Sequence, residues 1–322
     1  MGVEHLLDAA AGAARRAARP RVSLSLARAE GAVRVRRSLV ALIAALTTLV
    51  AGCGGSSAAG NSSGSAATKG SLILATTTST QDSGLLDDLL PVFTKDTGWT
   101  VKTLAVGSGQ ALELGRRGEA DVLLVHSPAA ETTFMTEGKA GQRRLVMHND
   151  FVIVGPADDP AGIKGTDSVD AMKKVAAASA VFISRGDDSG TNAKEKDIWA
   201  KAGITPKGAW YQSTGQGMGA TLRVADQKAG YTLSDRATFL AQRDTLELQI
   251  LSEGDPSLLN VYHVIEMTTK AGSRVQPDAA KAFADWIVSP AIQQRIGEFG
   301  KAKFGQPLFT PDAGKDEASL GG

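Results

Sequence analysis

From Ser71 onward, short apolar runs alternate with amphipathic segments, and this alternation limits the folds open to the chain. Ser71–Ala75 (SLILA) predicts a strand. Gly84–Thr97 follows, with Leu85, Leu86, Leu89, Leu90 and Phe93 at helical spacing. Val101–Val106 and Asp121–Val125 predict further strands, each followed by a helix, at Gln110–Arg117 and Ala129–Glu137. The rhythm continues with strands at Phe151–Val154, Val181–Ser184, Gly230–Leu233, Leu248–Leu251 and Asn260–Glu266. Helices are predicted at Ser168–Ala178, Thr191–Ala202, Gly217–Gln227, Asp235–Gln242, Asp278–Ile287 and Ala291–Phe299. Strand-helix alternation of this kind argues for an α/β fold with a parallel sheet covered by helices.

The 322 residues are enough for about two domains at ~100–200 residues each. Two α/β lobes are the natural reading. One holds 71–149 plus 261–322, the other 150–260, and the chain crosses between them near Phe151–Val154 and near Asn260–Glu266. Hydrophobic residues at 43% and charged residues at 21% suit a globular body and exclude a disordered one.

The front of the chain is a different physical object. Arg34, Arg36 and Arg37 precede an uncharged run from Leu39 to Gly52 that ends at Cys53. The run is too short for a transmembrane helix, which needs about 20 residues. A cationic head, a short apolar core and small residues at the end read as a secretory signal. Val50-Ala51-Gly52-Cys53 looks like a bacterial lipobox, whose cysteine is acylated and becomes the mature N-terminus. Residues 1–52 are thus a leader, with the signal at about 33–52 and a true start expected near Val33. Residues 53–70 supply the acylated cysteine and a flexible Gly/Ser linker. The expected location is the extracytoplasmic face of the cell membrane, held by a lipid anchor at Cys53.

Cys53 is the single cysteine, so no intrachain disulfide or cysteine-based zinc cluster can form. Residues 1–52 carry eight of the arginines and only three acids; what remains has 27 basic and 31 acidic side chains. The body is therefore mildly acidic, and no nucleic-acid partner is expected.

Three strand-to-helix turns share one character. They are Thr76-Thr77-Thr78-Ser79-Thr80, Gly107-Ser108-Gly109-Gln110, and Arg185 through Thr191 (RGDDSGT). Open α/β sheets bind ligands at the carboxyl ends of their strands. Unpaired N–H groups and the helix dipole make a helix start attractive to anions. Glycine lets backbone approach closely, and hydroxyls add donors without charge. Each turn alone could be an ordinary cap; three in one chain, on both lobes, point to an anion. Arg185 follows an apolar strand and precedes a helix start, where its fork of donors could grip an oxyanion.

Enzyme signatures are lacking. There is no GxxxxGK[ST] loop and no HExxH, and the body has no GxSxG elbow. His5, His126, His148 and His263 are scattered, which argues against a zinc site. His126 ends the third strand and reads as structural. Trp99, Trp199, Trp210 and Trp286 read as packing residues. A Ser or Thr nucleophile would need a positioned base that no motif supplies, so the chain is expected not to be an enzyme.

At these turns the chain resembles the tungstate-binding lipoproteins of bacterial ABC importers. The matching stretches include LATTTSTQDSGLL (74–86), VGSGQALELGRRGEADVLLVHSP (106–128), NDFVIVGPADDPAGIKG (149–165) and ISRGDDSGTNAKE (183–195). Residues 208–241 carry the same likeness, which covers nearly all of 71–310. The resemblance implies a type II periplasmic-binding-protein fold, in which two α/β lobes close on a tetrahedral oxyanion in their cleft. It implies as ligand-binding residues Thr76, Thr77, Thr78, Ser79, Ser108, Arg185, Ser189, Gly190 and Thr191, with Asp187 orienting Arg185. It implies as partners tungstate or molybdate, an ABC permease and its ATPase. A monomer without cofactor is expected. The third turn is also similar to the corresponding loop of phosphate-binding proteins, which is the alternative reading. Tungstate and molybdate only accept hydrogen bonds, whereas hydrogen phosphate carries a proton that seeks a carboxylate. Asp82, Asp187 and Asp188 are the candidates for that carboxylate.

Overall fold

The elements follow one another with little connecting loop in the computed structural model, which describes residues 69–320. The leader, Cys53 and nearly all of the linker lie outside the described residues. In chain order the first part contains β1 (Gly70–Thr77), α1 (Thr78–Asp82), α2 (Leu85–Thr97), β2 (Trp99–Val106), α3 (Ser108–Arg116), β3 (Val122–Val125), α4 (Pro128–Met135) and β4 (Ala140–Gly155). The middle contains α5 (Ser168–Ala178), β5 (Phe182–Ser184), α6 (Gly190–Lys201), β6 (Tyr211–Ser213), α7 (Met218–Gln227), β7 (Thr232–Asp235), α8 (Arg236–Gln242) and β8 (Gln249–Ser252). The last part contains β9 (Leu259–Met267), α9 (Pro277–Ile287), α10 (Pro290–Glu298), α11 (Lys301–Phe304) and β10 (Thr310–Pro311).

Local chemistry explains the boundaries. Gly84 and Gly98 bracket α2 in left-handed conformations, at φ 80° and 77°, which cost glycine little. Asp167, Ser189 and Asp235 cap α5, α6 and α8 by accepting from backbone N–H groups in the first turn. The apolar face of α2 buries Leu85, Leu86, Leu89 and Phe93. Phe93 meets Phe283 and Trp286 edge-on, with ring centroids 5.2 and 5.1 Å apart.

The strands form a path β10-β4-β9-β3-β1-β2, with β7 and β8 also paired to β4. β1 lies parallel to both β2 and β3. β9 is antiparallel to β3 and β4, and β4 is antiparallel to β7 and β8. The sheet is therefore mixed rather than parallel, which corrects the expectation from strand-helix alternation. The physical reason is connectivity: β4 and β9 leave one lobe and enter it again, so neither returns through the crossover helix that a parallel neighbour requires.

One strand serves both lobes. Residues 140–150 of β4 pair with β9, and from Phe151 the same strand pairs with β7, then β8. The chain returns at Leu259, opposite Asp150. Bulges between Ala140 and Arg143, between Leu145 and Met147, and between Ile153 and Val154 bend this long strand. The second lobe also contains the short parallel pair β5-β6.

The main apolar cluster runs through both lobes. It joins Leu72, Phe93 and Phe283 to Val152, Ile183, Met218 and Phe239. A second cluster around Phe182, Trp199 and Tyr231 belongs to the second lobe, and a third around Leu112, Phe134 and Ile265 to the first. No helix among the described residues is long and apolar enough to cross a membrane.

Candidate functional site

Arg185 leaves the end of β5 and is 1% exposed. Its guanidinium holds four side chains. Nη1 donates to Ser79 Oγ and Thr191 Oγ1, each at 3.3 Å, and Nη2 donates to Thr78 Oγ1 at 3.0 Å and Asp187 Oδ2 at 2.6 Å. Thr78 and Ser79 come from the first lobe, Thr191 from the second. Arg185 Nε is buried and has no partner among the described residues. A hydroxyl that accepts from an arginine still owns its proton. Three such protons, with an unused N–H beside them, make a cluster rich in donors.

The loop that carries Arg185 is held from below. Gly186 has φ 58°, and a Cβ there would come within 2.7 Å of Ser213 Cβ. Gly215 N–H donates to the Arg185 carbonyl at 2.8 Å. Asp187 accepts from Ser189 N–H through Oδ1 while Oδ2 takes Arg185, so each of its oxygens is engaged once within the loop. Asp188 points away and pairs with Lys196 at 2.9 Å. Farther along α6, buried Glu195 accepts from Ser184, Tyr211 and Trp199 at 2.6, 2.7 and 3.2 Å. Burial pushes the Glu195 carboxyl up, against the pull of these donors. The effect is to pin the start of α6 against β5 and β6.

The sequence-predicted residues sort into three groups. Thr78, Ser79, Arg185 and Thr191 form one connected cluster. Ser108 and Gly190 meet each other across the lobes, with Gly190 N–H donating to Ser108 Oγ at 3.2 Å. The remaining hydroxyls are engaged locally. Thr76 donates to the Leu124 carbonyl at 2.8 Å and so fastens β1 to β3. Thr77 caps α1 by accepting from Thr80 N–H at 3.2 Å. Ser189 caps α6 by accepting from Asn192 N–H at 3.2 Å. Asp82 accepts from Gly219 N–H at 3.0 Å.

Further residues complete the arrangement; Gly217, Thr238 and Asp235 were not singled out beforehand as site residues, whereas Gly107 and Gly109 belong to the second of the three turns. α7 starts beside α1: a Cβ on Gly217 would fall 3.0 Å from Thr78 Cβ. Thr238 of α8 donates to the Ser79 carbonyl at 3.1 Å. Its cap partner Asp235 is fully buried, and burial raises its carboxyl against the pull of Thr238 and Arg185. Gly107 and Gly109 let the first lobe approach the 187–189 loop: Cβ atoms there would lie 3.3 and 3.5 Å from the carbonyls of Asp187 and Asp188. The glycine-rich run before α7 (TGQGMG) was the available signal for this side of the site. Its meaning depends on which surface faces α1, and spacing does not encode that.

Two α/β lobes that share a strand and turn helix starts and hydroxyls onto one buried arginine define a class, the two-lobed solute-binding proteins. Residues 59–291 match the PBP superfamily domain. The chain is 52% identical over 240 residues to the tungstate-binding protein TupA of Peptoclostridium acidaminophilum, covering 74% of this chain and 84% of that one. A solved structure of the tungstate-binding protein TupA from Desulfovibrio alaskensis G20 is 48% identical, with a TM-score of 0.63, covering 76% of this chain and 99% of that one. A second, described as the tungstate ABC transporter from Geobacter sulfurreducens, is 44% identical with a TM-score of 0.66, covering 71% and 98%. The chain belongs to the PBP superfamily, within the family that these tungstate-binding proteins form.

Proposed function

We propose that this protein captures tungstate or molybdate outside the cytoplasm and delivers it to an ABC permease driven by its ATPase. The observation that carries this reading is the buried Arg185 fork, ringed by hydroxyls from both lobes. An oxyanion that only accepts hydrogen bonds matches a cluster of this kind. Hydrogen phosphate would need a carboxylate with room to accept. Asp187 is turned to Arg185 and Ser189, Asp188 is paired with Lys196, and Asp82 turns to Gly219, so each of the three carboxylates is drawn to a protein donor. The relatives named above bind tungstate, which supports the same choice.

In this reading Thr78, Ser79, Ser108, Arg185, Gly190 and Thr191 contact the anion. Thr76, Thr77 and Ser189 hold their turns in place and offer backbone N–H groups at most. Residues 71–149 with 261–322 act as one lobe and 150–260 as the other. The anion binds both and favours the form in which they meet. The protein acts as a monomer without catalysis and is anchored through an acylated Cys53. Calorimetric titration with tungstate, followed by competition with molybdate, sulfate and phosphate, tests the reading. Tight tungstate binding that excess phosphate and sulfate fail to displace supports it, and displacement by phosphate overturns it. Incorporation of labelled fatty acid, lost in Cys53→Ala, tests the anchor.

A further inference from the structure

Beneath the anion loop runs a buried chain of polar side chains that ends at the strand crossing. Thr77 Oγ1 lies 2.9 Å from His126 Nε2, and His126 Nδ1 lies 2.8 Å from Asn260 Oδ1. Asn260 Nδ2 donates to Asn149 Oδ1 at 2.8 Å and to the Tyr262 hydroxyl at 3.1 Å. All five residues are buried. The Tyr262 ring covers the imidazole at a centroid distance of 4.6 Å.

The partners dictate the direction of each bond. Asn260 Oδ1 only accepts, so His126 Nδ1 carries the proton and Nε2 accepts. Thr77 therefore gives its hydroxyl proton to Nε2. Its oxygen takes the Thr80 N–H, at the cap of α1, and the Thr80 hydroxyl at 2.8 Å. Burial and the nearby Arg185 charge push His126 down to about 4, which keeps the ring neutral and this direction intact at neutral pH.

Both ends of the chain sit at strategic places. Asn149 and Asn260 are opposite partners in β4 and β9, next to the point where β4 passes from one lobe to the other. Thr77 caps the turn that presents Thr78 and Ser79 to Arg185. His126 is also part of the floor on which the second lobe rests: a Cβ on Gly190 would come within 2.9 Å of its carbonyl.

We propose that His126 is a positioning residue: the Asn149-Asn260-His126-Thr77 chain ties the strand crossing to the turn that presents the anion-binding hydroxyls, so that both reach binding geometry together. The proposal rests on the oxyanion reading above. A packing role for His126 would lower stability and leave affinity unchanged. A positioning role lowers affinity in variants that remain folded.

The full-length protein, purified in detergent, is titrated with sodium tungstate by calorimetry, with far-UV circular dichroism as the folding control. His126→Leu and Asn260→Leu are each expected to weaken binding about tenfold. His126→Gln keeps an acceptor toward Thr77 and is expected to recover most of that loss. His126→Leu added to Thr77→Val is expected to cost nothing more, because both remove the same link. In nitrogen NMR of the wild type, the His126 ring should show a protonated Nδ1 whose resonance moves on adding tungstate. Wild-type affinity in folded His126→Leu, equal losses for Gln and Leu, or additive losses with Thr77→Val would each overturn the proposal. A wild type that does not bind tungstate defeats the oxyanion reading itself. If the Leu variants do not fold, an imidazole protonated on Nε2, or one unmoved by tungstate, overturns the proposal alone.

Discussion

Arg185 illustrates how much one buried side chain can hold. It reaches hydroxyls of both lobes and a carboxylate on its own loop, all within 3.3 Å. Replacing it with alanine removes the only cation in this cluster and leaves Asp187 without its charged partner. Arg185→Ala is therefore expected to weaken tungstate binding by about 2 kcal/mol or more, read by calorimetry. The neighbouring threonines divide sharply despite their identical chemistry. Thr76 spends its hydroxyl on the Leu124 carbonyl, whereas Thr78 turns its own to Arg185. Thr76→Val should cost about 1 kcal/mol of folding stability and little affinity, and Thr78→Val the reverse. Denaturant titration set beside calorimetry separates the two. Sequence could identify five consecutive hydroxyls but could not rank them, since the ranking depends on which strand or helix each one faces.

Among the elements, those with a strong apolar period were legible. α5 spans Ser168–Ala178 in both the reading and the structure, and α2 differs by one residue. The first eleven residues of β4 were not legible. They run through Arg143, Arg144 and His148, whose polar ends meet Glu131, Glu266, Asp285 and Asp312. A strand whose side chains are neutralised by distant carboxylates shows no apolar alternation. α1 was hidden for another reason: five residues of Thr, Ser, Gln and Asp form a helix there because β1 ends beneath them and Thr77 caps them. α7 matters for what its start lacks. Gly217→Ala would place a methyl 3.0 Å from Thr78 Cβ and push the α1 turn away from Arg185. Lower tungstate affinity at nearly unchanged thermal stability is the expected result, since Gly217 has an ordinary φ of −63° that alanine adopts freely.

For the whole molecule, buried His126 makes stability depend on pH. Its folded-state value is lowered from 6.5 to about 4, so between those values the unfolded chain binds a proton that the folded chain refuses. Stability is complete above about 6.5 and declines as pH falls toward 4, by up to about 3 kcal/mol. Asp255 adds a smaller acid loss: hydrogen bonds from Ser168 and Ser257, outweighing its burial, lower it to about 2, so its contribution fades as pH falls from about 4 through 2. Thermal melts across this range should show a falling midpoint, and His126→Gln should flatten the part above pH 4. The long strand β4 has a consequence for how the molecule comes apart. It is hydrogen-bonded to strands of both lobes, and the main apolar cluster runs through both lobes. Neither lobe can melt and leave its neighbour with a complete ladder. The two should therefore lose structure in one cooperative transition, with equal calorimetric and van't Hoff enthalpies, rather than as two independently melting folding units.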